Sequence, residues 1–170
     1  LVLTLGAQPR TLPAASGGTL DGVFAVRDLA DADAMAPAFT AGKRVLIIGG
    51  GYIGLEAAAV ASKLGLEVTL VEMGERILQR VAAPATSDYF RGLHQSHGVD
   101  IREGVGLDHL IGTDHVTGAK LTDGTILEID FAVVGVGVNP ATILADSAGL
   151  TVGNGIVTDT HGRTSDPHIW

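Results

Sequence analysis

A mostly β-branched run, Val45-Leu46-Ile47-Ile48, passes without a break into three glycines, Gly49, Gly50 and Gly51, and a fourth, Gly54, follows shortly after. Branched aliphatic residues favour extended backbone, whereas glycine adopts positive φ without steric penalty. A chain needs so abrupt a change where a buried strand turns sharply into another element. Apolar residues resume at helical spacing over residues 53–64, and Gly65 supplies a stop, so the spacing predicts a helix there. Gly49, Gly51 and Gly54 fit G-x-G-x-x-G. The pattern alone is weak, but between a buried strand and a helix it is the dinucleotide-binding fingerprint.

Each glycine then has a separate task. Gly49 permits the tight turn, Gly51 lets a pyrophosphate approach the backbone, and Gly54 allows close helix–strand packing. The anion would rest on the free N–H groups and positive dipole end of the helix. The alternative is a plain tight turn without a ligand. Glu72 closes the next strand pattern, 18 residues beyond Gly54, near the ~20-residue spacing of an acid that binds the adenosine ribose. A carboxylate there repels a 2′-phosphate. Met73 and Gly74 follow, with no arginine directly after the acid, so NADH is favoured over NADPH; Arg76 and Arg80, slightly later, work against that preference. The plain reading of Glu72 is a solvated acid at a strand end.

Around this core the chain reads as β-α-β-α-β. Strands are expected at residues 45–48, 67–71 and 99–103, with a second helix at 85–97 closed by Gly98. With 46 % apolar but only 4 % aromatic residues, the interior must be built from Val, Ile, Leu and Ala, as in a parallel sheet covered on both faces. The fold class expected is α/β, a Rossmann-like doubly wound parallel sheet with an added antiparallel β-meander. The meander is expected from residues 115–121, a turn at Asp123-Gly124, and residues 125–129. Residues 131–137 form a further buried strand, and 139–150 a loop and short helix. Earlier, residues 1–5 and 23–26 read as short strands and 28–39 as a short helix despite Pro37.

The formal net charge of −8 and the absence of cysteine argue against nucleic-acid binding and exclude disulfides or thiolate metal sites within these residues. No apolar run is long enough to span a membrane. The chain opens without methionine and stops at Asp166-Pro167-His168-Ile169-Trp170, which reads as the start of another strand. A piece of a longer polypeptide is therefore expected. His94 and His97 share a helix without a third ligand, so they read as a solvated face, as do Asp28, Asp31 and Asp33.

The sequences VLIIGGGYIGLEAA, VTLVE and RILQRV, with VRDLADADAM, VGVGVNP and NGIVTDTHGRTSDPHIW in the same order, resemble the FAD-dependent pyridine nucleotide oxidoreductases built like glutathione reductase. The resemblance is closest to their ferredoxin, rubredoxin and putidaredoxin reductase branch. It implies three parts: residues 1–42 as a trimmed edge of an FAD domain and linker, 43–152 as the NAD-binding domain, and 153–170 as the returning FAD edge. It also implies roles. Gly49, Gly50, Gly51, Tyr52, Ile53 and Gly54 would line the pyrophosphate, and Glu56 would meet the nicotinamide end. Glu72 would take the adenosine ribose, with Arg80 near the adenosine side. Gly135, Val136 and Gly137 would lie beside the nicotinamide, and Arg27 would contact the flavin. Glu56 also has a plain reading, an acid favoured by the helix dipole, and Arg27 and Arg80 as ordinary surface arginines.

The function implied is transfer of hydride from NADH to FAD, then of electrons to an iron–sulfur ferredoxin or a rubredoxin-type protein, in a cytoplasmic enzyme. FAD would be held only by the full-length protein. The cofactors carry the redox chemistry, so no catalytic acid, base or nucleophile is assigned. The alternatives are a disulfide reductase or NADH oxidase of the same fold and, in another class, a non-catalytic nucleotide-sensing module.

Overall fold

The computed structural model describes all residues, 1–170. In chain order its elements are β1 (Ala7–Pro9), β2 (Val23–Ala25), α1 (Leu29–Met35), β3 (Arg44–Ile48), α2 (Tyr52–Lys63), β4 (Glu67–Glu72), α3 (Pro84–Ser96) and β5 (Asp100–Glu103). Then come β6 (Leu107–Gly112), β7 (Val116–Leu121), β8 (Ile126–Glu128), β9 (Phe131–Val134), β10 (Val138–Pro140), α4 (Ile143–Ser147), β11 (Val152–Gly153) and β12 (Gly155–Ile156). The chain packs as two compact units, one of residues 10–137 and one formed by residues 1–9 with 138–170. These units divide the chain at other residues than the 43 and 152 read from the sequence.

The larger unit is built on a five-stranded sheet in the order β2-β9-β3-β4-β5. Every pairing in it is parallel, and strands buried on both faces explain the unbroken aliphatic runs. Alternate residues feed two cores. Val45, Ile47, Val68, Leu70, Phe131 and Val133 face the helices, meeting Leu55, Ala58 and Ala61 of α2. Leu46, Ile48, Val71, Ala132 and Val134 face the other way, against Leu110, Val116, Ala119 and Leu121 of a three-stranded antiparallel sheet, β6-β7-β8. The expected meander is present and has one strand more than the sequence pattern suggested. β6 escaped because its apolar residues do not alternate cleanly, and its pairing with β7 is interrupted by irregular register. At the turn from β7 to β8, Asp123 accepts from the Thr125 amide at 2.9 Å and Gly124 has φ of 88°.

Gly65 and Gly98, at the ends of α2 and α3, adopt φ of 81° and 83°, the left-handed conformation that stops a helix. The segment 28–39 is α1 followed by a 3-10 turn over Ala36–Ala38 that accommodates Pro37. Two readings are corrected here. Asp28 and Asp31 are not simply a solvated face: the Asp28 carboxylate accepts from the Ala30 and Asp31 amides, and Asp31 returns a bond to the Asp28 amide, a capping box. His94 is not solvated but 7 % exposed, its ring nitrogens 2.8 Å from the Phe90 carbonyl and 3.1 Å from the Leu55 carbonyl, joining α3 to α2. His97 is exposed, as expected.

In the smaller unit, residues 1–5 are not a strand. Leu1 and Leu3 bond the backbone of Trp170, and the Leu1 amine donates to the His168 carbonyl at 2.8 Å, but no ladder propagates. The strand lies instead at Ala7–Pro9 and pairs antiparallel with β10, in segments that glycine and proline had marked as loops; Pro9 sits at the end of an edge strand, where a missing N–H is tolerated. The terminal residues 166–170 turn rather than extend, because the Thr164 hydroxyl and amide both bond the Ile169 carbonyl, at 2.6 and 3.3 Å. No helix is long and apolar enough to cross a membrane.

Charge gathers at the amino ends of the strands. The Asp130 carboxylate accepts from the Arg44 amide at 2.7 Å and lies 3.6 Å from Lys43 Nζ and 3.5 Å from Arg44 Nε. The amide bond first, then the Lys43 and Arg44 charges, outweigh desolvation and hold this carboxyl below the ordinary aspartate value. A depressed folded-state pKa stabilises the fold above the unfolded value, near 3.9, and that stabilisation is lost as pH falls through the folded value. Thermal melts of the native chain and an Asp130→Ala variant should therefore differ most near neutral pH. The difference should shrink below about pH 4; a difference independent of pH would contradict this assignment.

Candidate functional site

The carboxyl edge of the sheet is where a parallel α/β fold leaves room for a ligand. Here that edge is built from backbone. Gly49 leaves β3 with φ of 107°, and a Cβ on it would stand 2.5 Å from the Gly135 carbonyl oxygen. No other residue type fits either restriction. A Cβ on Gly54 would stand 2.0 Å from the Gly49 carbonyl oxygen and 3.3 Å from Ile47. The start of α2 therefore lies directly on the turn that precedes it. Gly135 donates to the Ile48 carbonyl at 2.8 Å, so the end of β9 closes against the same turn.

Gly51 differs from these. It is the N-cap of α2 with ordinary extended backbone, φ −80° and ψ −174°. A Cβ built on it meets nothing within 4 Å. The fold does not demand glycine here; the space in front of it is open. Leu55 is the first residue of the helix to bond back, to the Gly51 carbonyl at 3.0 Å, and no side chain caps this end. The first-turn amides of Tyr52, Ile53 and Gly54 thus face outward as donors. Tyr52 and Ile53 turn their own side chains to solvent, 58 % and 41 % exposed. An open cradle lined by backbone donors at the positive end of a helix fits a diphosphate.

Glu72, at the end of β4, has both carboxylate oxygens engaged. One accepts from the Gly50 amide and the other from the Gly74 amide, each at 2.7 Å. A carboxylate has about four acceptor positions, so two remain unused. The Gly50 carbonyl in turn accepts from the Leu78 amide at 2.9 Å. Leu78 has φ of 56°, the one non-glycine residue in this conformation. Such a residue costs on the order of 1–3 kcal/mol and persists only where its surroundings over-determine it.

The remaining residues singled out in the sequence fall as follows. Arg80 is exposed, with its guanidinium 3.8 Å from the Cβ position of Gly137. It sits against the end of β9 and makes no ion pair with Glu72. Val136 packs into the core beneath the antiparallel sheet. Glu56 is exposed and lies beyond the first turn of α2, which holds no acid, so the helix-dipole explanation does not apply to it. Arg27 is exposed at the carboxyl end of β2, separated from the glycine turn by β9. Arg76 is withheld: its guanidinium donates to the Ser87 hydroxyl at 2.5 Å and to the carbonyls of Gln79 and Ala82. Sequence reasoning missed Gln79. Its amide oxygen lies 2.9 Å, and a Glu72 oxygen 3.0 Å, from the Cβ position of Gly74, so both line one corner. Nothing in the periodicity of residues 73–83 marks that position.

A parallel sheet carrying a glycine turn, an uncapped helix start and an acid at the next strand end is the FAD/NAD(P)-binding fold. Comparison with known proteins agrees. The pyridine nucleotide-disulphide oxidoreductase family model matches residues 1–170. The chain is 44 % identical to putidaredoxin reductase of Pseudomonas putida over 99 % of its own length and 41 % of the relative's. It is 46 % identical to the ferredoxin reductase subunit of the 5,5'-dehydrodivanillate O-demethylase of a Sphingobium species, over 91 % of this chain and 38 % of that one. The crystal structure of the covalent putidaredoxin reductase–putidaredoxin complex superimposes with a TM-score of 0.92 at 43 % identity, covering 99 % of this chain and 42 % of that one. The chain belongs to the pyridine nucleotide-disulphide oxidoreductase family, and it spans about two-fifths of the length of these relatives.

Gly51 and Gly54 separate two effects of adding one methyl group. Gly51→Ala should leave the melting temperature within the range of neutral surface changes, about 0.5 kcal/mol. Gly54→Ala should destabilise by roughly 1–3 kcal/mol or more through overpacking against the Gly49 carbonyl. Equal effects in denaturant titrations would contradict the packing described.

Proposed function

We propose that this chain is the NADH-binding portion of a flavoprotein reductase that passes hydride from NADH to FAD and then electrons to a ferredoxin- or rubredoxin-type protein. The observation that carries the reading is the open space at Gly51, in front of first-turn amides that no protein group accepts. A fold with no ligand to accommodate has no reason to leave that cradle vacant of a side chain. The family resemblance to ferredoxin reductases supports the acceptor class.

Bound NADH would supply the hydride and the flavin would accept it; the residues of this chain hold and orient. The amides of Gly51, Tyr52, Ile53 and Gly54 would take the diphosphate. Glu72 would accept from the two adenosine ribose hydroxyls with its remaining lone pairs. Gly135 and Gly137, without side chains at the end of β9, let a planar ring approach the backbone, and Glu56 would meet it, with Arg80 near the adenosine side. We assign residues 43–152 to the nucleotide, and residues 1–42, which include Arg27, with residues 153–170 to FAD in the full-length polypeptide.

Two observations favour NADH over NADPH. A 2′-phosphate would meet the Glu72 carboxylate, and Arg76 is turned inward to Ser87 rather than toward that corner. Calorimetric titration of the chain should give tighter binding for NADH than for NADPH by about tenfold or more, the effect of ~1.4 kcal/mol of repulsion. Glu72→Ala combined with Met73→Arg and Gln79→Arg should reverse the order. Gly51→Val should abolish binding of both while leaving the melting temperature unchanged. Tighter NADPH binding by the native chain would refute the specificity, and no binding of either would refute the reading. With the rest of the polypeptide present, NADH should bleach the flavin absorbance; a flavin left oxidised would favour a nucleotide sensor.

A further inference from the structure

Three successive glycines have little conformational preference of their own, so something outside them must fix which way their peptides point. The Gly50 peptide groups are held from two sides, by Glu72 at the amide and by the Leu78 amide at the carbonyl. Glu72 belongs to the nucleotide fingerprint. Leu78 does not, and its strained backbone has to be held in turn. The preceding residue, Ile77, is gripped at both ends: its amide donates to Glu103 Oε1 at 2.8 Å and its carbonyl accepts from the Ser87 hydroxyl at 2.6 Å. Ile77 is itself fully buried, and its Cγ2 lies 2.7 Å from where a Cβ on Gly50 would stand.

The groups that grip Ile77 are secured in their turn. Arg91 on α3 pairs with Glu103 through two parallel bonds, Nε to Oε2 at 2.8 Å and Nη2 to Oε1 at 2.9 Å, and its Nη1 reaches Asp88 at 2.7 Å. Two-point pairing fixes orientation as well as distance. The Glu103 hydrogen bond, with Asp88 next, holds the Arg91 guanidinium firmly protonated. Ser87 is fully buried and accepts from Arg76, so its single hydroxyl proton is committed to the Ile77 carbonyl.

We propose that Glu103, Arg91 and Ser87, on β5 and α3, are positioning residues for the nucleotide diphosphate, acting through Ile77 and Leu78 on the Gly50 carbonyl. They touch no ligand. They set the rotation of the peptide that joins Gly50 to Gly51, and so the direction of the amide at the mouth of α2. The inference rests on the diphosphate reading given above and extends it to residues outside the β-α-β fingerprint.

The test compares adenosine, ADP and NADH binding to the native chain and to Ser87→Ala and Glu103→Gln, by calorimetry and by amide NMR. Glutamine has one acceptor oxygen; with that oxygen kept on the Ile77 amide, its NH2 group faces the Arg91 Nε donor where Oε2 accepted, and the two-point pairing is lost. Both variants should weaken ADP and NADH by about tenfold, the effect of one lost hydrogen bond to a charged group. Adenosine binding should change by less than about twofold, and the amide resonances of Gly50 and Gly51 should shift. If Ser87→Ala does not fold, Glu103→Gln alone decides. Unchanged ADP affinity in a folded variant would overturn the positioning role while leaving the diphosphate reading intact. Equal losses for adenosine and ADP would overturn it in favour of general destabilisation. A native chain that binds neither ADP nor NADH would overturn both.

Discussion

The Glu72 carboxylate holds two backbone amides at once, Gly50 in the turn after β3 and Gly74 in the turn after β4. Those turns leave adjacent parallel strands in the same direction, and nothing in strand pairing alone would tie them together. The rest of the carboxyl edge is arranged around this tie. Gly50 is fixed in position, Gly51 is left open, and α2 begins where its amides find no internal acceptor. The same side chain therefore shapes the cradle and lines one side of it.

The two edges of the sheet use opposite chemistry. At the amino ends, side-chain charges meet: Lys43, Arg44, Glu128 and Asp130 form a local cluster. Surface pairs of this kind contribute little each. At the carboxyl ends, side chains withdraw and the backbone is presented directly. Gly49, Gly51, Gly135 and Gly137 share this property for different reasons. Gly49 and Gly137 have positive φ, Gly49 and Gly135 abut each other, and Gly51 alone is unconstrained by the protein.

The parts of this arrangement visible in the sequence are those set by local backbone rules. The glycine spacing, the aliphatic strands and the helix stops at Gly65 and Gly98 follow from φ preferences and periodicity, and all lie where those rules put them. Glu72 was legible because its distance from Gly54 is a consequence of one helix and one strand. Long-range pairing was not. β1 and β10 look like loops, since each owes its extended form to the other. His94 has the spacing of a surface residue, but two carbonyls draw it inward. Glu103, Arg91 and Gln79 carry no periodic signal at all. Their roles come from where β5, α3 and the loop between Glu72 and α3 meet, which no window along the chain contains.

The path of the chain through the central sheet also has a temporal side. β9 lies between β2 and β3, yet it is made after the whole antiparallel sheet. Until residue 134 emerges from synthesis, β2 has no neighbour and β3 has one bare side. Late-made strands joined by long loops gain their contacts only after a large loss of chain freedom. Every element of the glycine turn is thus synthesised well before the strand that walls it in, and a nascent chain acquires this edge in its final form only once residues 131–137 have emerged.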